Sequence, residues 1–542
     1  MTDTSAAAAS GPRAGRREWL GLVVLALPTL LLSLDFSVTY LAIPRLSADL
    51  GATSVEQLWI ADIYGFMVAG FLITMGTLGD RIGRRKLLLI GAALFGLASI
   101  LAAFSVSAEM LIASRAIMGV SGATLMPSTL ALISNMFRNP KQMATAIAAW
   151  MSCFMGGLAL GPVIGGVLLN HFWWGSVFLL GVPVMLLLLV AGPILLPEFR
   201  DPKAGRLDLV SVVLSLVAIL PIVYGFKELA KGGDPLLPVL SLVAGAVLAV
   251  VFVVRQRKLA NPLMDLGLFG NRTFSAALVV SLFGAMLQAG TYFLIVQDVQ
   301  SVEGLSPLES GLFLAPATVV MITAIMVGSG LANRIRPAYL FTVGLLIAAI
   351  GYGILSQVDG HGQLGLLWIG YAVMALGVGL PSGLGTGLII GAAPPEKAGS
   401  ASSISEAGGE FGTSMGVAVF GSISTLVYRN ELAGTVPAGV PSGAATAATD
   451  NIAAAVPASH QLPPTLGEPL LDAARKAFTS GLSTVAIVSG LVFVALAALC
   501  LFALRHIPPT GSAAETEKAE TAQNDESKEN TVPVDHDAEK IR

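Results

Sequence analysis

The chain contains fourteen mainly apolar runs, each about as long as a helix needs to cross the hydrocarbon core of a bilayer, roughly 20 residues. They lie at 19–43, 57–78, 87–106, 109–135, 142–169, 175–196, 207–226, 236–255, 273–298, 309–332, 339–357, 363–392, 398–428 and 480–505. Charged residues make up 12% of the 542 residues, against about 25% in a soluble globular protein. The chain therefore reads as an all-α integral membrane protein with fourteen spans. The run at 19–43 lacks a convincing cleavage site, so it reads as a retained first helix and not as a removed signal peptide.

Lysine and arginine in short loops set orientation. The N-terminal segment and the even-numbered loops carry Arg13, Arg16 and Arg17, then Arg81, Arg84, Arg85 and Lys86, then Arg138, Lys141, Arg200, Lys203, Arg206, Arg255, Arg257, Lys258, Arg272, Arg334, Arg336 and Lys397. The opposite loops carry Arg45, Lys227, Lys231, Arg429, Arg475 and Lys476. That asymmetry of about threefold places both termini in the cytoplasm. A short echo supports a duplicated architecture: "LGDRIGRRK" (78–86) follows the second run and "LANRIRPAY" (331–339) follows the tenth. Repeated halves are typical of secondary transporters, and the two sites correspond if spans seven and eight are inserted between two six-helix halves. The expected organisation is an arm (1–18), an N-terminal six-helix bundle (19–197), two inserted spans (198–258) and a C-terminal six-helix bundle (259–505). That last bundle includes a long extracellular loop at 430–478, whose stretch "LGEPLLDAARKAF" (466–478) reads as a short amphipathic helix in a linker. The acidic tail (506–542) has too little apolar content to form a core and is expected to be disordered and cytoplasmic.

Three motifs carry more than hydropathy. "GTLGDRIGRRK" (76–86) combines Gly76 and Gly83, which permit close backbone approach, with Asp80, Arg81 and Arg84. "LIASRAIMGVSGA" (111–123) places Arg115 inside the fourth span. "GGLALGPVIGG" (156–166) sets Gly157, Gly161, Pro162, Gly165 and Gly166 in register. Glycine at this spacing lets helices touch backbone to backbone, and proline bends the helix and frees a carbonyl. These stretches resemble the signature motifs of the major facilitator superfamily, the third its antiporter motif. "LDFSVTYLAIP" (34–44), "QLWIADIYGF" (57–66), "WWGSVF" (173–178), "GLSPLESGLFLAP" (304–316), "KAGSASSISEAGGEFG" (397–412) and "GVAVFGS" (416–422) are similar to the fourteen-helix drug:proton antiporters, and among these to the quaternary ammonium efflux pumps. The resemblance runs from about 19 to 505. It implies the major facilitator fold, two six-helix bundles plus two additional helices, and export rather than import.

Acids inside the spans are the candidate working residues, because a charge at the bilayer centre costs on the order of 2.5–3.5 kcal/mol even on a lenient scale. Glu406 and Glu410 in "SSISEAGGEFG" (402–412) share one helical face four residues apart. They lie near mid-membrane, and two adjacent buried carboxylates are expected to hold at least one proton at neutral pH. Asp35 and Arg115 fall at similar depths, which invites a pair. Asp62 matches the pattern of the resembled family and joins Asp35, Arg115, Glu406 and Glu410 as a candidate for proton coupling or substrate binding, whereas Asp298 does not match it and is a candidate of the outer cavity. Both lie nearer the outer ends of their helices, where a solvated rim charge is the commoner fate. A cation entering such a site displaces a proton, and re-entry of the proton displaces the cation. Each charge moved across 100 mV is worth about 2.3 kcal/mol.

These observations point to a proton-coupled antiporter in a bacterial plasma membrane that exports hydrophobic, mainly monovalent cationic drugs. The alternative is an exporter of a self-made antibiotic or other specialised metabolite. Cys153 and Cys500 sit inside apolar runs, the 5 histidines form no cluster, and the chain carries no phosphate-loop motif. No catalytic residue, metal, cofactor or nucleic-acid partner is expected. The expected partners are the small cations, protons and the bilayer, with the proton gradient as the driving force and a monomer as the working unit.

Overall fold

The computed structural model describes residues 13–200, 208–231, 234–259, 262, 264–394 and 397–509. Most of the N-terminal arm and nearly all of the acidic tail lie outside them, as do Lys203 and Arg206. Among the described residues, fourteen helices are long and apolar enough to cross a membrane. They are α1 (Arg16–Leu50), α2 (Ser54–Ile82), α3 (Arg84–Ala103), α4 (Ala108–Met136), α5 (Thr145–His171), α6 (Ser176–Leu195), α7 (Leu209–Ala230), α8 (Leu236–Lys258), α9 (Arg272–Val302), α10 (Pro307–Leu331), α11 (Pro337–Leu355), α12 (Leu364–Gly391), α13 (Ser400–Thr435) and α14 (Pro464–Ala503). Each coincides with one expected span. The face carrying Arg84, Arg85 and Lys397 is called the basic face below, and the other the far face.

Helix ends follow local chemistry. Thr53 and Glu56 form a capping box at the start of α2, as Ser306 and Glu309 do at α10, each satisfying two otherwise orphaned amide donors. Gly51, in the left-handed conformation at φ 64°, closes α1. Three boundaries differ from the hydropathy reading because polar residues outside the apolar run continue the helix. α1 carries on past Pro44 to Leu50, so Arg45 is helical, and its guanidinium donates to the Leu169 carbonyl. α13 continues to Thr435, and α14 starts at Pro464, so the stretch 466–478 is the first part of the last span and not a separate linker helix. The shortened loop between them carries two helices, Ser442–Asp450 and Ile452–His460.

The echo in the sequence is an echo in packing. α1 packs on α5, α2 on α4, and α3 on α4 and α6. The helices eight places later repeat this: α9 packs on α13, α10 on α12, and α11 on α12 and α14. α7 and α8 pack on each other, and α7 also touches α2 and α13. The two six-helix sets meet along two seams, α2 with α13 and α5 with α10.

Those seams are closed toward the far face. Gln300 Nε2 donates to the Leu41 carbonyl at 3.0 Å, and Ser54 N donates to Asp450 Oδ2 at 3.1 Å. On α2, a side chain at Gly65 would run into Ser414 of α13. Gly76 lies three turns nearer the basic face on the same side of α2, yet it has open space where a side chain would go. Helices α2 and α13 therefore diverge toward the basic face. The close backbone approach expected at Gly76 is absent in this conformation.

Candidate functional site

A cavity of about 240 Å³ lies between the two halves. Six aromatic rings face it among aliphatic and small residues: Phe36 and Tyr40 from α1, Tyr64 from α2, Phe154 from α5, Tyr292 from α9 and Tyr371 from α12. Tyr292 stacks on Phe36 at 6.1 Å between centroids and lies 5.9 Å from Tyr40 and 6.4 Å from Tyr371. Gln288, Thr318, Thr413 and Ser414 add hydrogen-bonding groups. Two charged residues reach the wall, Arg115 and Glu410.

Arg115 arrives already neutralised. Its Nη1 lies 2.6 Å from Asp35 Oδ2, with both side chains almost wholly buried. Its Nε donates to the Ile60 carbonyl at 3.4 Å, and its guanidinium sits 4.7 Å over the Tyr64 ring. The expected α1–α4 pair therefore exists. A buried guanidinium needs such a partner, because an unpaired charge in a dry site is strongly disfavoured.

Glu410 has no such partner. Among the described residues, no cation or hydrogen-bond donor of the protein meets Glu406 or Glu410, and the charge acting on Glu410 is Glu406. Both are half-buried. Glu410 is on the cavity wall, whereas Glu406 is not among the lining residues; it lies one turn, about 6 Å, nearer the basic face. The pair shares a face as expected, but the two carboxylates occupy different levels of it.

Two expected positions are corrected. Asp62 is not a rim charge and does not line the cavity. It is fully buried and paired at 2.7 Å with Lys227, which the hydropathy reading had placed in an outer loop. Lys227 is helical, buried within α7, and its ammonium lies 3.6 Å over the Trp59 ring. Asp298 is likewise fully buried and off the cavity wall. It starts a π-helical turn, Asp298–Val302, at the end of α9, and neither of its carboxylate oxygens has a hydrogen-bond partner. An apolar run that ends on a charged residue reads as a helix end, so hydropathy had no signal for the burial of Asp298 or of Lys227, the partner of Asp62.

The motif residues act as joints. Asp80 pairs with Arg84 at 2.7 Å, and Arg81 is exposed. Gly83 has φ +113°, and a side chain there would also meet the Glu198 carboxylate, so glycine is required twice over. Arg84 N donates to the Phe199 carbonyl at 2.9 Å, and Arg85 donates to the Leu196 carbonyl at 3.0 Å. The turn is thereby bolted to the segment after α6. In α5, Gly157, Gly161 and Gly165 form one stripe against Ser33, Ser37 and Val38 of α1. Gly166 faces the backbone of Pro307 and Leu308, and the Pro162 carbonyl fills the space beside Gly311 of α10. The motif thus welds three helices on the far-face side of the cavity.

Overfilling that joint should be severe, because only backbone would be there to yield. A Gly311→Val chain should reach the membrane in normal amount but lose at least about tenfold in transport, overpacking of this kind costing on the order of 1–3 kcal/mol. In a Cys153→Ser/Cys500→Ser background with Thr413→Cys, an impermeant thiol reagent added at the far face should label the Gly311→Val protein faster than its parent. Equal labelling rates would refute a sealing role.

Comparison with known proteins gives a consistent picture. Residues 25–417 match the family model described as Major Facilitator Superfamily. The chain is 41% identical to the multidrug efflux pump LfrA of Mycolicibacterium smegmatis over 92% of this chain and 98% of that protein. It is 36% identical to the methyl viologen resistance protein SmvA of Salmonella typhimurium, over 85% and 93% of the two chains. The tetracenomycin C resistance and export protein of Streptomyces glaucescens is 32% identical over 92% and 94%. Among solved structures, a bacterial homologue of the human lysosomal transporter Spinster, in an inward-facing and unoccupied conformation, superposes with a TM-score of 0.64. That match covers 91% of this chain and 98% of the other at 16% identity, which is a likeness of fold.

Proposed function

Because the chain belongs to the Major Facilitator Superfamily and is a multi-pass membrane transporter of small molecules, not an enzyme, we propose that it exports lipophilic organic cations in exchange for protons. The observation that carries this reading is the Glu410 carboxylate, which meets no cation among the described residues, on a cavity wall that also presents six aromatic rings. Aromatic faces attract cations, and the pairing of Arg115 with Asp35 removes the one positive charge that would oppose them. A cation seated against Phe36, Tyr40, Tyr292 and Tyr371 favours ionised Glu410, and the proton leaves by way of Glu406 toward the basic face. A proton arriving when the far face is open neutralises Glu410 and releases the cation outward.

The orientation follows from loop charge. The basic face is cytoplasmic, both termini lie there, and the membrane is the bacterial plasma membrane. The cycle needs no cofactor beyond the proton gradient, and one chain holds the whole cavity, so a monomer suffices. Purified protein in liposomes should expel ethidium faster when the far-face compartment is made more acidic. Efflux indifferent to the gradient would remove the proton from the cycle.

A single carboxylate on the wall favours monovalent cations. Benzalkonium should be carried at least several-fold better than chlorhexidine in the same assay. The comparison is demanding, because methyl viologen, after which one relative is named, is itself a dication. Equal transport of mono- and bis-cations would mean that Glu406 and Glu410 work as a two-site receptor. A second reading, export of a specialised metabolite, draws support from the likeness to the tetracenomycin C exporter. Under that reading a neutral polycyclic compound should be exported equally by wild-type and Glu410→Gln protein.

A further inference from the structure

The buried Asp62–Lys227 pair lies outside the cation site, and its geometry assigns it a mechanical task. We propose that Asp62 and Lys227 fasten the inserted helices α7 and α8 to the N-terminal half, so that both ride with it while α13 of the C-terminal half slides past α7. The inference rests on two halves rocking against each other about a central site, not on which substrate is carried.

The two sides of α7 differ in kind. Toward α2 the contact is polar and keyed. Lys227 Nζ reaches Asp62 at 2.8 Å and 2.7 Å, neither side chain has any exposure, and the Trp59 ring underlies the ammonium. Farther along, Leu216 occupies the space beside Gly70 so fully that a side chain there would lie 2.5 Å from its Cδ2. Charge at one end and a knob in a notch at the other fix both the height and the rotation of α7 on α2. Toward α13 the packing is apolar: Ile219, Leu220 and Val223 share one cluster with Phe411, Met415 and Ala418, to which α2 adds Trp59 and Phe66. These apolar side chains form no keyed polar contact with one another, which suits sliding. α8 packs on α7 and exposes most of its length, with Val243, Val247, Val250 and Val254 all outward, so it follows wherever α7 goes.

In this account Asp62 is a positioning residue and not a proton carrier. A buried pair is a poor source of stability but a strict one, because either partner left alone is an uncompensated buried charge. Lys227→Met should therefore reduce folded protein or transport more than tenfold. The neutral pair Asp62→Asn/Lys227→Met should restore folded protein but free α7. With spin labels on exposed positions of α3 and α7 (Leu94→Cys and Val213→Cys, after removal of the native cysteines), the distance distribution should be narrow in the parent. It should be broad or shifted in the neutral pair, and transport should be slowed. The charge-reversed pair Asp62→Lys/Lys227→Asp separates the two roles, since a fastener works in either polarity. Recovery of a narrow distribution together with transport supports it. A narrow distribution without transport would assign Asp62 a chemical role. A neutral pair with unchanged distances and full transport would show that nothing is fastened there.

Discussion

Glu410→Gln should leave the amount of protein unchanged and lower cation efflux by at least about tenfold. At 4 Å and an effective dielectric near 20, a carboxylate and a cation attract by about 4 kcal/mol. Cavity water weakens that, and losing 1.4 kcal/mol already means a factor of 10. Glutamine keeps the shape and polarity of the side chain, so the loss isolates the charge. Glu406→Gln should do less, because Glu406 is off the cavity wall by one turn. It should slow exchange more than it weakens substrate binding, whereas Glu410→Gln should weaken both. Binding of tetraphenylphosphonium to purified protein separates these cases. A Glu410→Gln protein that binds and exports the cation at parental levels would end the proposed mechanism.

How this site could be found from the chain alone depends on what each residue contrasts with. A carboxylate in an apolar run stands out, so Asp35, Glu406 and Glu410 were legible, as was Arg115. The Asp35–Arg115 pair was legible as well, because both charges fall inside apolar runs at similar depth and a buried guanidinium needs a carboxylate. The aromatic wall was not. Tyr292 and Tyr371 sit in apolar helices where an aromatic that lines a cavity and one that fills a core have the same neighbours in sequence. Phe36, Tyr40 and Tyr64 fall inside the motif stretches at 34–44 and 57–66, so attention to ring chemistry in those stretches would have flagged half of the cavity's aromatic rings. Lys227 failed for the opposite reason. It follows an apolar run directly, and a lysine there reads as a helix end until its partner on another helix is known. The fourteen spans and the repeat of α1–α6 in α9–α14 were legible because bilayer thickness and short loops leave few alternatives. The ends of α1, α13 and α14 were not, because helix can continue beyond the hydrocarbon where polarity no longer reports it.

The same contrast bears on pH. At the basic face, a hydrogen bond from Lys397, with the ammonium at 2.6 Å, holds the Asp265 carboxyl below the usual carboxylate range. A depressed value of this kind contributes stability that is present above the unfolded-state value and is lost as pH falls through the folded one. Mild acidity at the basic face therefore leaves this contact between the α9 entry and the start of α13 intact. A pH response of transport in the neutral range then arises elsewhere, and Asp265→Asn should leave its midpoint where it was. A shifted midpoint in that variant would place the coupling at the membrane surface and not in the cavity.

Asp35→Asn is the sharper test of the cavity's electrostatics, because Asp35 does not line the wall itself. Asparagine keeps a hydrogen-bond acceptor for Arg115 but leaves the guanidinium uncompensated, beside the seat of the substrate. A like charge about 6 Å away at an effective dielectric near 20 repels by roughly 3 kcal/mol. Cation affinity should therefore fall by about 100-fold, while a neutral aromatic ligand should bind as before. Either single substitution strands a buried charge and costs about 3–5 kcal/mol of stability, read as a lower unfolding temperature in detergent; Arg115→Met differs in leaving a carboxylate, which does not repel the cation. Asp35→Asn combined with Arg115→Met removes both charges and should recover the stability and most of the cation affinity. That recovery separates neutralisation from direct chemistry. If the doubly substituted protein is stable and binds cations, yet no longer exchanges them for protons, the pair itself carries the proton, and Glu410 is the substrate's counter-ion alone.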